Sequence, residues 1–465
     1  MGTTITEELS IPVKQPVSKI DRYAAGKEMR KKLPRSDHAL WKLPEDRFNP
    51  VDIIIKSSEG RIEKLIPVRY ARMIESPFAF FRGAAAIMAA DLSQTPVTGM
   101  HLQLCGDCHL MNFGGFVTPE QQLVFDINDF DETLPGPWEW DLKRLATSFT
   151  IAGRYRNFSD YACKEAAWHV VDSYRRNMED YSKMSALQVW HAKIDLGELL
   201  QKGSDEEMKR FNKKRLKKAS EISVDAKEFA KLTFTTGVHA RIKDDPPLIY
   251  HPADKEEKKI LKRAEEAFQK YIQTLSPDRK VLLKRYNLHD IAIKVVGVGS
   301  VGTICGICLL MSATGEPIFL QFKEAKESVL EPWLHKSEYS HHGERVVMGQ
   351  KMMQSAFDMF LGWTSNDEGK HFYMRQLRNA KIKPVLEVMR TQNLFNYAKA
   401  CGWGLARAHA RTGDASLLSG YIGTSDSLAD AIADFSVAYA DQNEKDHRQM
   451  VLAVRSGRLP VVDEK

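Results

Sequence analysis

Apolar residues along this chain follow two periods, and the switch between them divides it. From about 141 to 233 they recur every three or four positions, as in Leu142, Leu145, Ala146 and Phe149. That spacing predicts helices with one buried face. The helical period also runs through 51–95, where 80–92 reads as one helix, and through the charged stretch 252–283. It returns in 343–363, with Val346, Val347, Gln350, Met353 and Phe357 on one side, and in 394–411 and 427–456. Two regions break it. Residues 99–131 predict a strand at 101–104, then a hairpin of 113–117 and 123–127 around Thr118-Pro119-Glu120. Residues 288–380 carry β-branched apolar runs at 291–296, 303–310 and 317–323 and a further strand at 372–377.

This pattern predicts an α+β protein in four parts. Residues 1–50, with five prolines after position 11, read as an arm; 51–285 as a large helical lobe carrying the hairpin; 286–383 as a small β-rich lobe; and 384–465 as helices on the large lobe. Composition adds little. With 465 residues, 43% hydrophobic and 28% charged, the chain can bury a core for two or three lobes. No apolar run approaches the ~20 residues of a membrane helix, and 1–22 lacks an apolar leader core, so a cytoplasmic place and no membrane partner are expected. Net charge is +6. The densest basic run, 213–218, sits among Glu206, Glu207 and Glu221 and reads as a solvated helix face, not a nucleic-acid patch. Oligomeric state is not legible. Of the six cysteines, Cys105-x-x-Cys108-His109 matches the haem-attachment string and Cys305-x-x-Cys308 raises a zinc site. Residues three apart on a strand face opposite ways, which argues against one ion on the second pair. Buried thiols in a reducing compartment are the expectation.

Candidate chemistry gathers in two places. In Cys105-Gly106-Asp107-Cys108-His109-Leu110-Met111-Asn112 an Asp precedes an Asn by five residues, and Asn128-Asp129-Phe130-Asp131-Glu132 follows beyond the hairpin. Phosphoryl transfer uses such a set: one carboxylate to take the acceptor proton, an amide and another carboxylate to hold magnesium. Far downstream, Gly297-Val298-Gly299-Ser300-Val301-Gly302 lies between two apparent strands, and a third strand ends at Lys323. Glycines there let backbone amides approach phosphates without a Cβ in the way.

Together these residues resemble a protein-kinase-like fold of the aminoglycoside and choline phosphotransferase type, whose catalytic loop reads His-Gly-Asp-x-His-x-x-Asn. Cys105 stands in place of the leading His. Asn128-Asp129-Phe130 resembles that group's metal-binding pair, and 136–142 the Gly-x-Pro-x-x-Asp-Leu that follows. The wording of 76–83 and 128–133 also resembles a bacterial family known only as domain of unknown function 2252, along nearly the whole chain. The kinase-like resemblance implies a bilobal ATP- and magnesium-dependent phosphotransferase acting on a hydroxyl acceptor, a small molecule or a protein. Asp107 would be catalytic and Asn112 and Asp129 would bind magnesium. Gly297, Gly299, Gly302 and Lys323 would meet the phosphates, with Glu344 as the acidic partner of Lys323 and Glu331 and Glu338 as rivals. Motif order departs from that group, because the catalytic loop precedes the glycine loop. A circular permutation reconciles the two. Three other readings stay open: an AMP-transferring enzyme, an inactive nucleotide-binding module, and a carboxylate-metal hydrolase using Asp107, Asp126, Asp129 and Asp131.

Overall fold

The structure, a computed structural model, describes residues 17–201, 229, 232–236, 239–246, 248–251, 254–295, 299, 301–377 and 382–462. Helices and strands are mixed throughout, as an α+β chain requires. The basic run 213–218 and Gly297 lie outside the described residues.

Four strands build the region around the first motif: β1 (His101–Leu104), β2 (Phe113–Val117), β3 (Leu123–Ile127) and β4 (Leu134–Pro137). β2 and β3 form the expected hairpin, with Gln121 taking the positive φ of its turn. β1 pairs antiparallel with β4 and so brings the two ends of the segment that carries both acidic motifs together. A short hairpin follows, β5 (Thr233–Thr236) and β6 (His239–Ile242). The main sheet is made of β7 (Ile249–Tyr250), β8 (Tyr286–Lys294), β9 (Cys305–Ser312), β10 (Pro317–Glu324), β11 (Gly362–Ser365) and β12 (His371–Gln376). Its order is β11-β12-β10-β9-β8-β7, antiparallel at every pairing.

Alternation along these strands sorts their side chains to two faces. Ile291, Cys308, Leu310, Ile318 and Leu320 pack beneath Phe268, Tyr271 and Ile272 of the helix Asp254–Gln273. Ala292, Ile307, Leu309 and Phe319 point the other way, against Ala240 and Ile242 of β6. Lys323 shares that second face, which runs on from the apolar cluster into the open cleft. The small lobe therefore begins well before 286. Residues 239–283 supply both of its coverings and its edge strand, because the sheet has two apolar faces to hide.

The helical body is organised around Trp138–Tyr155, buried on every residue from Trp138 to Gly153. Helices Asp160–Lys183, Thr391–Thr412 and Ser427–Arg455 surround it, and their apolar residues form one large core. Gly402 lets two of them touch: a Cβ there would fall 2.2 Å from the Val170 carbonyl. Polar caps set the starts, as where Ser159 accepts from Ala162 N–H. From the opposite end of the chain, the helix Lys19–Met29 packs on Ala415–Ile422.

Two helices expected as single pieces are shorter. The stretch 80–92 is broken into Pro77–Gly83 and Ala85–Leu92, with Ala84 out of helical geometry. Two buried arginines hold carbonyls at that break: Arg69 binds Gly83 O (3.1 Å) and Arg144 binds Phe81 O (3.0 Å). The stretch 343–363 holds only His342–Met353. Its end is capped by tertiary contacts, Gln354 donating to Ile127 O (2.5 Å) and Ser355 to Asp126 (2.9 Å). Phe357, assigned above to the apolar side, is exposed beside Lys351. No described helix is long and apolar enough to cross a membrane.

Candidate active site

Each part of the first motif is held by the helix that follows it. Asp141, in the first turn of Trp138–Tyr155, accepts from the backbone N–H of Cys105 (2.8 Å) and of Gly106 (3.0 Å). One turn on, Arg144 grips Asp107 Oδ1 through Nε (2.8 Å) and Nη2 (2.5 Å). One further turn on, Ser148 accepts from Leu110 N–H (3.0 Å). Residues 141, 144 and 148 share a helix face, so one rigid helix orients the whole loop. Gly106 turns the chain at φ 84°, with the Glu132 carbonyl 2.2 Å from where a Cβ would sit.

The loop is tied to the second acidic segment. Asn112 donates its side-chain amide to Asp107 O (2.7 Å), and its own carbonyl accepts from Asn128 N–H (2.7 Å). That bond carries the chain directly into Asp129. Asp126, one of the acidic residues of the hydrolase reading, takes no part. It is wholly buried, bound to Arg407 (2.5 Å) and to Ser355.

From the sheet side comes Lys323, 4% exposed at the end of β10. Its ammonium lies 2.7 Å from Asp131 and 3.7 Å from Asp129. Burial alone would lower its pKa; Asp129 and Asp131 outweigh that and hold it well above the ordinary lysine value. Tyr373 on β12, paired in register with Lys323, donates to the other Asp131 oxygen (2.6 Å). His109 sits 3.6 Å from Asp107, and burial drives its pKa down to about 3 despite that carboxylate. Burial pushes Glu132, beside the same turn, up to about 7.

Asp107, Asn112, Asp129, Gly299 and Lys323 all line one cleft of about 660 Å³ between the sheet and the helical body. Gly302 closes the far end of its turn, its carbonyl accepting from Ile62 N–H (2.7 Å). Glu344 does not meet Lys323. It lies in the first turn of its helix with its N–H on His341 Nδ1 (3.2 Å). The next residue, Arg345, is buried against the acidic turn instead and donates to the carbonyls of Asp131, Thr133 and Lys326. The rivals are engaged elsewhere: Glu331 accepts from Ser328 N–H (3.1 Å), and Glu338 does not line the cleft. Lys323 finds its acid across the cleft because the turn closed by Thr133 N–H on Phe130 O (3.1 Å) brings Asp131 to its ammonium, with Asp129 just before it.

The sequence reading missed Arg144 and undervalued Asp131. The 141-144-148 spacing was the available signal for the first, and the second carboxylate of Asp129-Phe130-Asp131 for the second. Cys105, Cys108 and Asp141 form a buried trio that could hold a metal ion. The Asp141 oxygens there are already bonded to backbone N–H groups.

A family model described as "Uncharacterized protein conserved in bacteria (DUF2252)" matches residues 61–453. The chain belongs to the DUF2252 family. Its matched span takes in the whole cleft apart from a short stretch ending at Glu59, and both acidic segments. No curated protein and no solved structure matches the chain.

Proposed function

We propose that this DUF2252 protein is a phosphotransferase that moves a phosphoryl group from ATP to a hydroxyl acceptor, on a circularly permuted kinase-like fold. One observation carries the reading. Lys323 and the turn at Gly299 line the same cleft as Asp107, Asn112 and Asp129, although nearly two hundred residues separate the groups. Glycine turn, strand, hairpin, lysine-bearing strand and helix follow one another from β8 to His342–Met353, the order of a kinase small lobe.

The residues fit the roles. Arg144 holds Oδ1 of Asp107, which leaves Oδ2, 3.6 Å from the His109 ring, to take the acceptor proton. Asn112 commits its N–H to Asp107 O and keeps its amide oxygen for a cation, and Asp129 adds a carboxylate. Two hard oxygen donors suit magnesium, which would neutralise phosphate charge there when bound. Lys323 offers the ammonium that would exchange Asp131 for a phosphate oxygen. The flanking glycine turn allows close backbone approach.

The test is nucleotide binding followed by turnover. Magnesium-ATP should raise the melting temperature, since a ligand that binds only the native state stabilises it. Lys323→Met should remove most of that rise in a protein that still melts cooperatively. Parallel incubations with γ- and α-labelled ATP over a metabolite panel should transfer the γ label. Calorimetry finding no ATP binding at millimolar concentration with magnesium present would end the proposal, and transfer of the α label would replace it with AMP transfer.

A further inference from the structure

The cleft holds more positive charge than phosphate binding at Lys323 uses. Arg61, Arg69, Arg82 and Lys326 all line it, and among the described residues none of the four forms an ion pair with a carboxylate. They make a connected row. Arg69, 1% exposed, donates to Ser58 Oγ (2.8 Å), Ser57 Oγ (3.1 Å) and Gly83 O (3.1 Å), while its Nε has no partner. The Gly83 contact fixes the end of the helix Pro77–Gly83, where Arg82 projects.

Arg82 is the unspent member. Its guanidinium donates no hydrogen bond among the described residues, its Nε is shut off from water, and its nearest aromatic ring, Phe78, is 5.9 Å away. It lies within electrostatic reach of both Asp107 and His109. By contrast Arg61 is spent on the carbonyls of Gly299 (3.0 Å) and Val301 (2.6 Å), and Lys326 on Glu59 O (3.0 Å). Burial lowers the pKa of all four, and the carboxylates in electrostatic reach, Asp107 and Glu75 for Arg82, only partly offset it. A withdrawn cation is costly unless something pairs it, and a guanidinium fork matches phosphate or carboxylate oxygens two at a time.

We infer that Arg82, held in place by Arg69, binds an oxyanion group of the acceptor, a phosphate or a carboxylate, at a subsite separate from the one centred on Lys323. That the oxyanion belongs to the acceptor rests on the phosphotransferase reading; the subsite does not. An acceptor anchored there would carry its hydroxyl beside Asp107, so the substrate class is a small anionic alcohol.

Calorimetric titration of the full-length protein with inorganic phosphate, and separately with malonate, tests this, each with and without a saturating magnesium complex of a non-hydrolysable ATP analogue. At least one of the two anions should bind in both conditions. Arg82→Gln should weaken that binding about tenfold or more, the loss of one charge-assisted pair. Arg82→Lys should fall between, with thermal melts showing every variant folded. Loss of anion binding once the nucleotide analogue is present would assign the arginines to the nucleotide and overturn the inference. So would wild-type protein that binds neither anion, or Arg82→Gln that binds as wild type. Anion binding that persists where no nucleotide binds would instead remove the phosphotransferase reading and leave the subsite standing.

Discussion

At the scale of single residues, the acidic groups near the first motif separate by what faces them. Asp126 and Asp129 are three apart in sequence and differ completely in setting. Asp126 is sealed against Arg407, both side chains fully buried, while Asp129 lines the cleft. Removing one partner of a buried pair leaves an uncompensated charge, which typically costs about 3–5 kcal/mol. Arg407→Met should therefore lower the urea midpoint by a large step. Asp129→Ala, at a partly exposed carboxylate, should cost far less stability. The two denaturation curves, measured side by side, check this. An Asp-rich turn read from sequence cannot rank its members, because the ranking depends on which distant side chain arrives.

At the scale of elements, the loop that carries Asp107 depends on a turn only glycine makes without strain. Gly106 has φ 84°, and the Glu132 carbonyl occupies the space of a Cβ. Gly99, with φ 80°, has nothing within 4 Å of that position. Alanine at either site meets the backbone penalty of roughly 1 kcal/mol. Only at Gly106 must the β1–β4 unit also open, for a total of about 2 kcal/mol or more. Chemical denaturation of Gly106→Ala and Gly99→Ala should separate the two effects, and on the proposed phosphotransferase reading Gly106→Ala should also lose turnover, since Asp107 is the next residue. Strand positions in this region follow from alternation and turn residues alone. Helix ends do not. Gln354 stops His342–Met353 by bonding Ile127 O, a partner 227 residues away, and the helix pattern in 343–363 carries no sign of it.

At the scale of the molecule, pH should act through groups the fold has withdrawn from water. Burial pushes His38 and His109 down to about 3, from 6.5. Between those values the unfolded chain binds protons that the native one refuses, so this contribution is whole above about pH 6.5 and is lost as pH falls toward 3. Glu132, pushed up to about 7 from 4.5, acts in the opposite sense: the native state holds its proton longer, and its contribution grows as pH falls from 7 toward 4.5. Unfolding free energies from urea titrations at pH 7, 6 and 5 should give a shallower fall toward acid for His38→Asn/His109→Asn than for wild type. Glu132→Gln should make the fall steeper. A double variant with the wild-type slope would show that these histidines titrate freely in the native state.

What the sequence determined by itself is local. Period and turn chemistry placed β1, the β2–β3 hairpin and β10, and the α+β class followed, since these signals are carried by neighbours in the chain. The residue types for the candidate chemistry were legible for the same reason: Asp107 and Asn112 lie five apart, and the glycines cluster. Tertiary structure alone decided which charges meet. Lys323 pairs with Asp131 and Asp129 rather than Glu344, and the helix His342–Met353 meets the same turn through Arg345, which donates to Asp131 O. It also decided that residues 239–283 belong with the sheet, whose two apolar faces both require cover. Ion pairs, lobe boundaries and helix ends are set by contacts between separate segments, 227 residues apart for Gln354 and Ile127, and no local pattern records the distance that folding removes.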